Sequence, residues 1–356
     1  MTQERRNTTG TKRPPSQTVH RRNSMGSRNT NGQRRSSSGC RMSGSTAAAR
    51  ARRRRRNERM RFLLPVILLS LIAVCLAGTL LLYRLGKNTA PQVNVDLELL
   101  DSPYAVLIDR DSGEILASKR SSEQMYPASL TKIMTVLTAL EQLKDVNQTV
   151  TLSYDYFQEL YDQDASRAGF DPGEEARIID LMYGAMLPSG AECCRELALQ
   201  AAGSEADFAV LMNEKAEELG LSNTHFCNST GLHDPEQYST AEDIAKLLRA
   251  ALKNDTFYQI ITSKYYSVPP SNVHPDGFTF YGTMFKGMED PSVNGGQILG
   301  GKTGYTGEAG HCLASFAEVN GRDYILVTGG VAAEPRTAQY HIDDAFRAYN
   351  QIAREE

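Results

Sequence analysis

Acidic residues are almost missing from the first 61 positions of this 356-residue chain, which hold only Glu4 and Glu58 against 18 Arg and Lys. Apolar residues are scarce there too, and Ser, Asn, Gly, Thr and Arg dominate. Such a segment cannot bury enough surface to offset its ordering entropy, which excludes a packed domain and predicts disorder. The rest of the chain reverses the balance, with 21 Lys and Arg against 40 Asp and Glu. The formal net charge of −3 therefore averages two oppositely charged parts that face different surroundings.

Metal-ligand spacing is missing as well. The six cysteines come with no CxxC or HxxxH arrangement, which disfavours a zinc site. They do not form a disulfide scaffold either. Cys40 falls in the basic segment and Cys75 in the apolar run described next. Two bridges among Cys193, Cys194, Cys227 and Cys312 are conceivable, but vicinal Cys193 and Cys194 do not easily both find partners. No internal repeat is present.

Charge is missing altogether from positions 62–83, a run of 22 residues rich in Leu, Ile and Val. About 20 apolar residues cross a bilayer as a helix. Pro65 stands near the start of the run, where a helix tolerates proline best. Arg52, Arg53, Arg54, Arg55 and Arg56 are consecutive on one side, and only Arg84 and Lys87 follow closely on the other. The positive-inside rule then keeps the N-terminus in the cytoplasm and exports the acidic remainder. A cleaved signal peptide is the competing reading, with Ala77 and Thr79 as a loose cleavage site. The apolar run continues through 80–83, which favours an uncleaved anchor. The expected organisation is a disordered basic cytoplasmic tail (1–61), one transmembrane helix (62–83), a linker (84–96) and an extracytoplasmic domain (97–356). The tail is expected to set topology and attract anionic lipid. A cytoplasmic partner, or phosphorylation around positions 36–38, is the sharper reading. Nucleic-acid binding is possible, but the signal is unspecific because any arginine-rich tail would suggest it, and no nucleic-acid partner is expected.

Within the domain, strands are expected at 104–109 and 115–119 around the turn Asp111-Ser112-Gly113. A helix over 129–143 has Ile133, Val136, Leu137 and Leu140 at helical spacing. Two helices, 180–187 and 192–202, flank Pro188-Ser189-Gly190. A helix over 206–219 stops at Gly220, and another over 240–252 opens on Thr240 with Asp243 three residues on. Strands at 311–319 and 324–331 meet at Asn320-Gly321, a strong hairpin signal. A helix over 337–353 closes the chain. Strands at both ends with helices between imply one α+β domain whose sheet pairs its first and last segments.

Three places could carry chemistry. Ser129 and Lys132 share one face at the start of a helix, near its positive dipole end. A serine hydroxyl needs a base to become a nucleophile, and a lysine whose pKa is lowered by burial or a neighbouring cation can be that base. The plain alternative is an N-cap serine followed by a surface lysine, and SxxK alone is a weak signal. Lys302-Thr303-Gly304 joins a cation and a hydroxyl to glycines that permit close backbone approach, a combination suited to binding a carboxylate against an exposed strand. The alternative is a turn between strands. Ser189-Gly190-Ala191 places a serine in a tight connection, which most often is only a turn.

The order SxxK, then an SxN-like element, then KTG resembles the serine penicillin-recognising enzymes. The segments Tyr126-Pro127-Ala128-Ser129-Leu130-Thr131-Lys132, Leu187-Pro188-Ser189-Gly190 and Lys302-Thr303-Gly304-Tyr305-Thr306 are similar to the three motifs of the low-molecular-mass D,D-carboxypeptidases. Thr224-His225-Phe226, Asn228 and Gly231-Leu232 resemble a further stretch of that family. The resemblance implies a β-lactamase/transpeptidase-like α+β fold, an antiparallel sheet flanked by helices with a helical subdomain, after one transmembrane helix. It implies hydrolysis of the terminal D-Ala-D-Ala bond of peptidoglycan stem peptides, with β-lactams as acylating inhibitors and no metal or organic cofactor. By position, Ser129 is the acylated nucleophile, Lys132 its base and Ser189 a proton shuttle. Lys302 and Thr303, with Gly304, hold the substrate carboxylate and help keep Lys132 deprotonated. Backbone N–H groups of Ser129 and Tyr305 form the oxyanion hole, and Arg336 adds charge near the carboxylate.

Two departures stand out. The second motif usually ends in asparagine, where this chain has Ala191; Glu192 is a candidate to fill the gap or to turn outward. The chain ends at Glu356 without the extra β-domain and amphipathic tail of some relatives, and the N-terminal helix is expected to replace that anchor. The alternatives are a β-lactamase, for which no ExxxN element is found, a transpeptidase, and a catalytically weakened scaffold.

Overall fold

The structure, a computed structural model, describes residues 45–87, 93–332 and 339–352. The chain separates into two units, Met1–Gly78 and Thr79–Glu356. A single helix, α1, runs over Ser45–Lys87 and supplies everything described of the first unit. Pro65 lies in the interior of α1, not near its start as the apolar run alone implied. There its ring displaces an i−4 hydrogen bond that any other residue would make. Leu63, Val66, Ile67, Leu68, Leu69, Leu71, Ile72, Val74 and Leu76 are all exposed along α1. Among the described residues, no helix is long and apolar enough to cross a membrane. Phe62, Leu64 and positions 80–83 of the uncharged run have side chains outside that description.

The second unit opens with β1 (Tyr104–Asp109) and β2 (Ile115–Lys119). A 3-10 turn, Ala128–Leu130, leads into α2 (Thr131–Gln142). The helical region follows as β3 (Thr149–Thr151), α3 (Phe157–Asp162), β4 (Glu175–Arg177), α4 (Ile178–Met186), α5 (Ala191–Ala202) and α6 (Glu205–Glu218). Then come α7 (Ala241–Ala251), α8 (Asp255–Thr262), the hairpin β5 (Tyr265–Val268) and β6 (Phe278–Tyr281), and α9 (Thr283–Lys286). The chain finishes as β7 (Ser292–Val293), β8 (Gly296–Thr306), β9 (Gly310–Val319), β10 (Arg322–Val331) and α10 (Tyr340–Ile352). Thr240 accepts from the Asp243 N–H at the start of α7, as its position predicts.

One six-stranded sheet, in the order β2-β1-β10-β9-β8-β7, organises the domain, and every neighbour in it is antiparallel. β1 pairs directly with β10, from Tyr104↔Gly329 to Asp109↔Tyr324, so the first and last strands do meet. β9 and β10 form the hairpin expected at Asn320-Gly321, where both residues have positive φ. Both faces of the sheet are covered, which is why β1 and β10 read as nearly continuous apolar runs. Val106, Ile108, Ala314, Phe316, Ile325 and Val327 face α2, α4, α5 and α7. Ala105, Leu107, Leu313, Ala317 and Leu326 face Ile342, Ala345, Ala348 and Tyr349 of α10.

One expectation changes, and one alternative falls. The helix expected from Ser129 begins as a 3-10 turn, and the α-helix starts at Thr131. Ala128 has φ +46°, a left-handed setting that few non-glycine residues adopt, so the chain turns sharply just before Ser129. Lys302-Thr303-Gly304 is no turn: it lies inside the eleven-residue strand β8. The glycines there answer to close approach. A Cβ on Gly301 would stand 2.6 Å from the Ala314 carbonyl oxygen and 2.7 Å from Met284 Sδ. β7 pairs only with Gly296 and Gln297, and Ile298 N donates to the Pro291 carbonyl, so among the described residues the outer edge of β8 has no strand partner beyond them.

Candidate active site

The 3-10 turn aims Ser129 across the first turn of α2 at Lys132. Lys132 Nζ donates to Ser129 Oγ at 2.9 Å and also to the Thr230 carbonyl. Thr230 sits in a loop folded around Asn228, whose Oδ1 accepts from Thr230 N, Thr230 Oγ1 and Gly231 N. Gly231 has φ +79°, and a Cβ there would fall 2.0 Å from the Ala128 carbonyl oxygen. Asn228 and Gly231 therefore shape the loop that holds Lys132, while Thr230, whose contact is a backbone oxygen, left no mark in the sequence.

Lys302, on β8, donates to Ser189 Oγ at 2.9 Å and to the Thr303 carbonyl at 2.6 Å. Ser189 is buried with φ +71°, held between Pro188 and the N-terminus of α5. Thr303 Oγ1 lies 2.7 Å from Thr283 Oγ1, the first residue of α9. Gly304 brings β8 against Ser129: a Cβ there would stand 3.1 Å from the Ser129 backbone N. Ser129, Lys132, Ala191, Thr230 and Tyr305 line one cleft of about 580 Å3, whose far wall is formed by positions 163–166. The fold thus gathers Ser129, Lys132, Ser189, Lys302, Thr303, Gly304 and Tyr305 around one place. Arg336 lies outside the described residues.

Both lysines are dry. Lys132 is 2% exposed and Lys302 1%. Burial pulls the Lys132 ammonium below its ordinary pKa, against the opposing pull of Cys194, Glu192 and Cys193. Burial pulls Lys302 down further, and the like charge of Lys132 adds to it. Two ammonium groups sharing a low-dielectric pocket disfavour one another, so one of them gives up its proton readily. Cys194, buried near both, has its thiol pushed up to about 12 by burial and stays a neutral thiol. Among the described residues Cys75, Cys193, Cys194, Cys227 and Cys312 are all free.

Glu192 does not turn outward. It is fully buried, and Oε1 accepts from Ala168 N at 2.6 Å and Gly169 N at 3.0 Å. It therefore does not stand in for the missing asparagine amide beside Lys132. Ala191 is buried at the first position of α5, its N–H donating to the Ser166 carbonyl at 2.8 Å.

The comparisons with known proteins agree with this geometry. The profile of the D-alanyl-D-alanine carboxypeptidase family matches residues 89–332. The chain is 33% identical over 293 residues to the D-alanyl-D-alanine carboxypeptidase DacF of Bacillus subtilis, covering 82% of this chain and 72% of that one. The crystal structure of the Streptomyces K15 DD-transpeptidase superposes with a TM-score of 0.63 at 26% identity, over 71% of this chain and 97% of that one. A D-alanyl-D-alanine carboxypeptidase from Mycobacterium tuberculosis superposes equally well, at TM-score 0.63 and 26% identity, over 74% of this chain and 94% of that one. A transpeptidase-like α+β fold, the family profile and a curated relative converge: the chain belongs to the D-alanyl-D-alanine carboxypeptidases, the low-molecular-mass penicillin-binding proteins that act on peptidoglycan in cell-wall maturation.

Proposed function

We propose that Ser129 is the acylated nucleophile of this serine-type carboxypeptidase and Lys132 its general base. The observation that carries the reading is the 2.9 Å contact between Lys132 Nζ and Ser129 Oγ, with the lysine 2% exposed. A neutral Nζ has one lone pair, and a Ser129 hydroxyl turned towards it donates its proton as Oγ attacks. Oγ bonds to the carbonyl carbon of the penultimate D-alanine, the negative oxygen is met by the backbone N–H groups of Ser129 and Tyr305, and the peptide C–N bond breaks. The departing D-alanine nitrogen takes a proton passed through Ser189, which Lys302 holds in place at 2.9 Å. Water then hydrolyses the acyl ester by the same base. Lys302 and Thr303, on the open edge of β8, receive the terminal carboxylate of the peptide, since a cation and a hydroxyl together suit that group. β-Lactams acylate Ser129 along the same path.

The reading extends to the first unit. The uncharged run 62–83 lies within α1 and, at 1.5 Å per residue, spans about 33 Å, the thickness of a bilayer core. Its exposed Leu, Ile and Val side chains and the arginines that precede it support a single-pass anchor with a cytoplasmic N-terminus. Protease added to intact cells or spheroplasts should then digest the domain after Lys87 and spare the tail. A soluble protein beginning near Leu80 would instead mark a cleaved signal. The enzyme itself is tested by D-alanine release from a synthetic pentapeptide, with Ser129→Ala as control. Equal turnover of a substrate whose terminal D-alanine is amidated would remove Lys302 and Thr303 from carboxylate recognition.

A further inference from the structure

Glu192 has a carboxyl group with two different ends. Oε1 accepts the Ala168 and Gly169 N–H groups at 2.6 and 3.0 Å. Oε2 is fully buried with no hydrogen-bond partner, and lies 3.0 Å from where a Cβ on Gly190 would stand. A buried unpaired carboxyl oxygen is costly enough to need a reason.

The segment it holds is a wall of the catalytic cleft. Positions 163–166 line that cleft, and 168–170 pack behind them. A Cβ on Gly190 would meet Ala168 Cβ at 2.8 Å, and one on Gly184 would meet Ala168 Cβ at 3.2 Å and Phe170 at 3.3 Å. The wall is thus pressed against α4 and the Ser189 turn, and two groups on α5 hold it there: Ala191 N on the Ser166 carbonyl, and Glu192 on the two N–H groups beyond. A third tie, Arg195 to Glu159 at 3.0 Å, involves a half-exposed carboxylate and contributes little.

We propose that Glu192 is a positioning residue, which fastens the cleft wall at 163–169 to the turn bearing Ser189 and so sets the width of the cleft along the acyl side of the substrate. This rests on the assignment of the cleft to that substrate. Burial raises the Glu192 pKa even though the backbone N–H groups oppose it. The groups that feel its charge are Lys132 from α2, Cys193 and Cys194 on its own helix, and Tyr156 just before α3. Glutamine keeps the oxygen that accepts the two N–H groups and places an amide where Oε2 lies.

The test uses the full chain in detergent. Glu192→Gln should release D-alanine within about threefold of the parent, with KM unmoved. Glu192→Leu should raise KM about tenfold or more with kcat changed less than threefold, because Ser129 and Lys132 belong to the separate 3-10 turn and helix at 128–142. Hydrogen exchange supplies an independent readout: the Ala168 and Gly169 amides should be protected in the parent and in Glu192→Gln, and open in Glu192→Leu. If Glu192→Leu does not fold, Glu192→Asp, one methylene too short to reach both N–H groups, should show the same KM rise in smaller measure. Unchanged KM in folded Glu192→Leu or Glu192→Asp, a loss confined to kcat, or unprotected amides in the parent would each overturn the proposal. A parent that takes no penicillin on Ser129 would instead refute the catalytic assignment, and the exchange measurement would still judge the tether.

Discussion

The two faces of the main sheet bury different things. On the side of α2, α4, α5 and α7, the interior takes in Lys132, Lys302, Ser189 and Glu192, and the backbone is driven to φ +46° at Ala128 and +71° at Ser189. On the α10 side, burial is mostly apolar. The polar groups it takes in include the Tyr349 hydroxyl, 3.1 Å from both Ser315 Oγ and Leu326 N, Asp344, which accepts from Ser102, and His341. Desolvated cations and left-handed serines are unfavourable for stability. On the proposed assignment, the first face carries the chemistry and the second supplies part of the packing energy that tolerates it. If that division is right, substitutions should separate activity from stability according to the face they touch.

The sharpest break would come at Ser129. Ser129→Ala should abolish the single penicillin adduct seen by intact mass, with the thermal midpoint moved by no more than a few degrees. Lys132→Ala should keep the adduct but slow its formation about 100-fold or more, the scale of a lost general base. A retained adduct in Ser129→Ala would end the assignment. If the neutral amine of Lys132 is the active form, the acid limb of acylation should lie below lysine's ordinary value, because burial lowers its pKa. A limb at lysine's ordinary value would mean that the pocket does not desolvate Lys132.

Tyr349→Ala works the comparison from the other side. Removing a fully buried aromatic ring should lower unfolding stability by about 3–5 kcal/mol. The folded protein should still acylate at the parental rate. A slowed reaction at a temperature where the domain remains folded would show that the two faces are coupled.

His341 on α10 offers a smaller test on the same face. It is buried, stacked on His311 at 4.7 Å, and burial, with the charge of His311, lowers its pKa to about 3. The folded state binds this proton less readily than the unfolded chain, so stability is complete above about pH 6.5 and falls as pH drops towards 3, by at most a few kcal/mol. His341→Phe should flatten that part of the urea midpoint against pH. An unchanged slope would place the acid sensitivity elsewhere.

Ala191→Asn is the gentlest probe. One neutral hydrogen bond is worth roughly 0.5–1.5 kcal/mol, or about two- to tenfold in rate. A gain of that size would mean that the cleft simply lacks the amide. A loss would mean that the pocket, where Ala191 is 2% exposed, has closed around a methyl group.

Much of this was readable in the residues. Local rules placed β1, β2, the β9–β10 hairpin, α5, α7 and the Ser129–Lys132 pair, because each rests on a short periodic pattern or on neighbours within one helical turn. Short elements such as β3, β4 and α9, three or four residues each, have too few positions to show any period. β8 was obscured by Gly296, Gly300, Gly301 and Gly304, which locally signal a turn.

The sequence by itself determined which side chains are available for the chemistry and in what order they come. Only the tertiary structure decided that Lys302 meets Ser189 across 113 residues of chain, that β8 is a strand with an open edge, and that Glu192 faces inward. The reason is physical: whether a lysine is a base or a surface cation depends on the water taken from it. That is settled by elements distant in sequence closing over it, which no local pattern records.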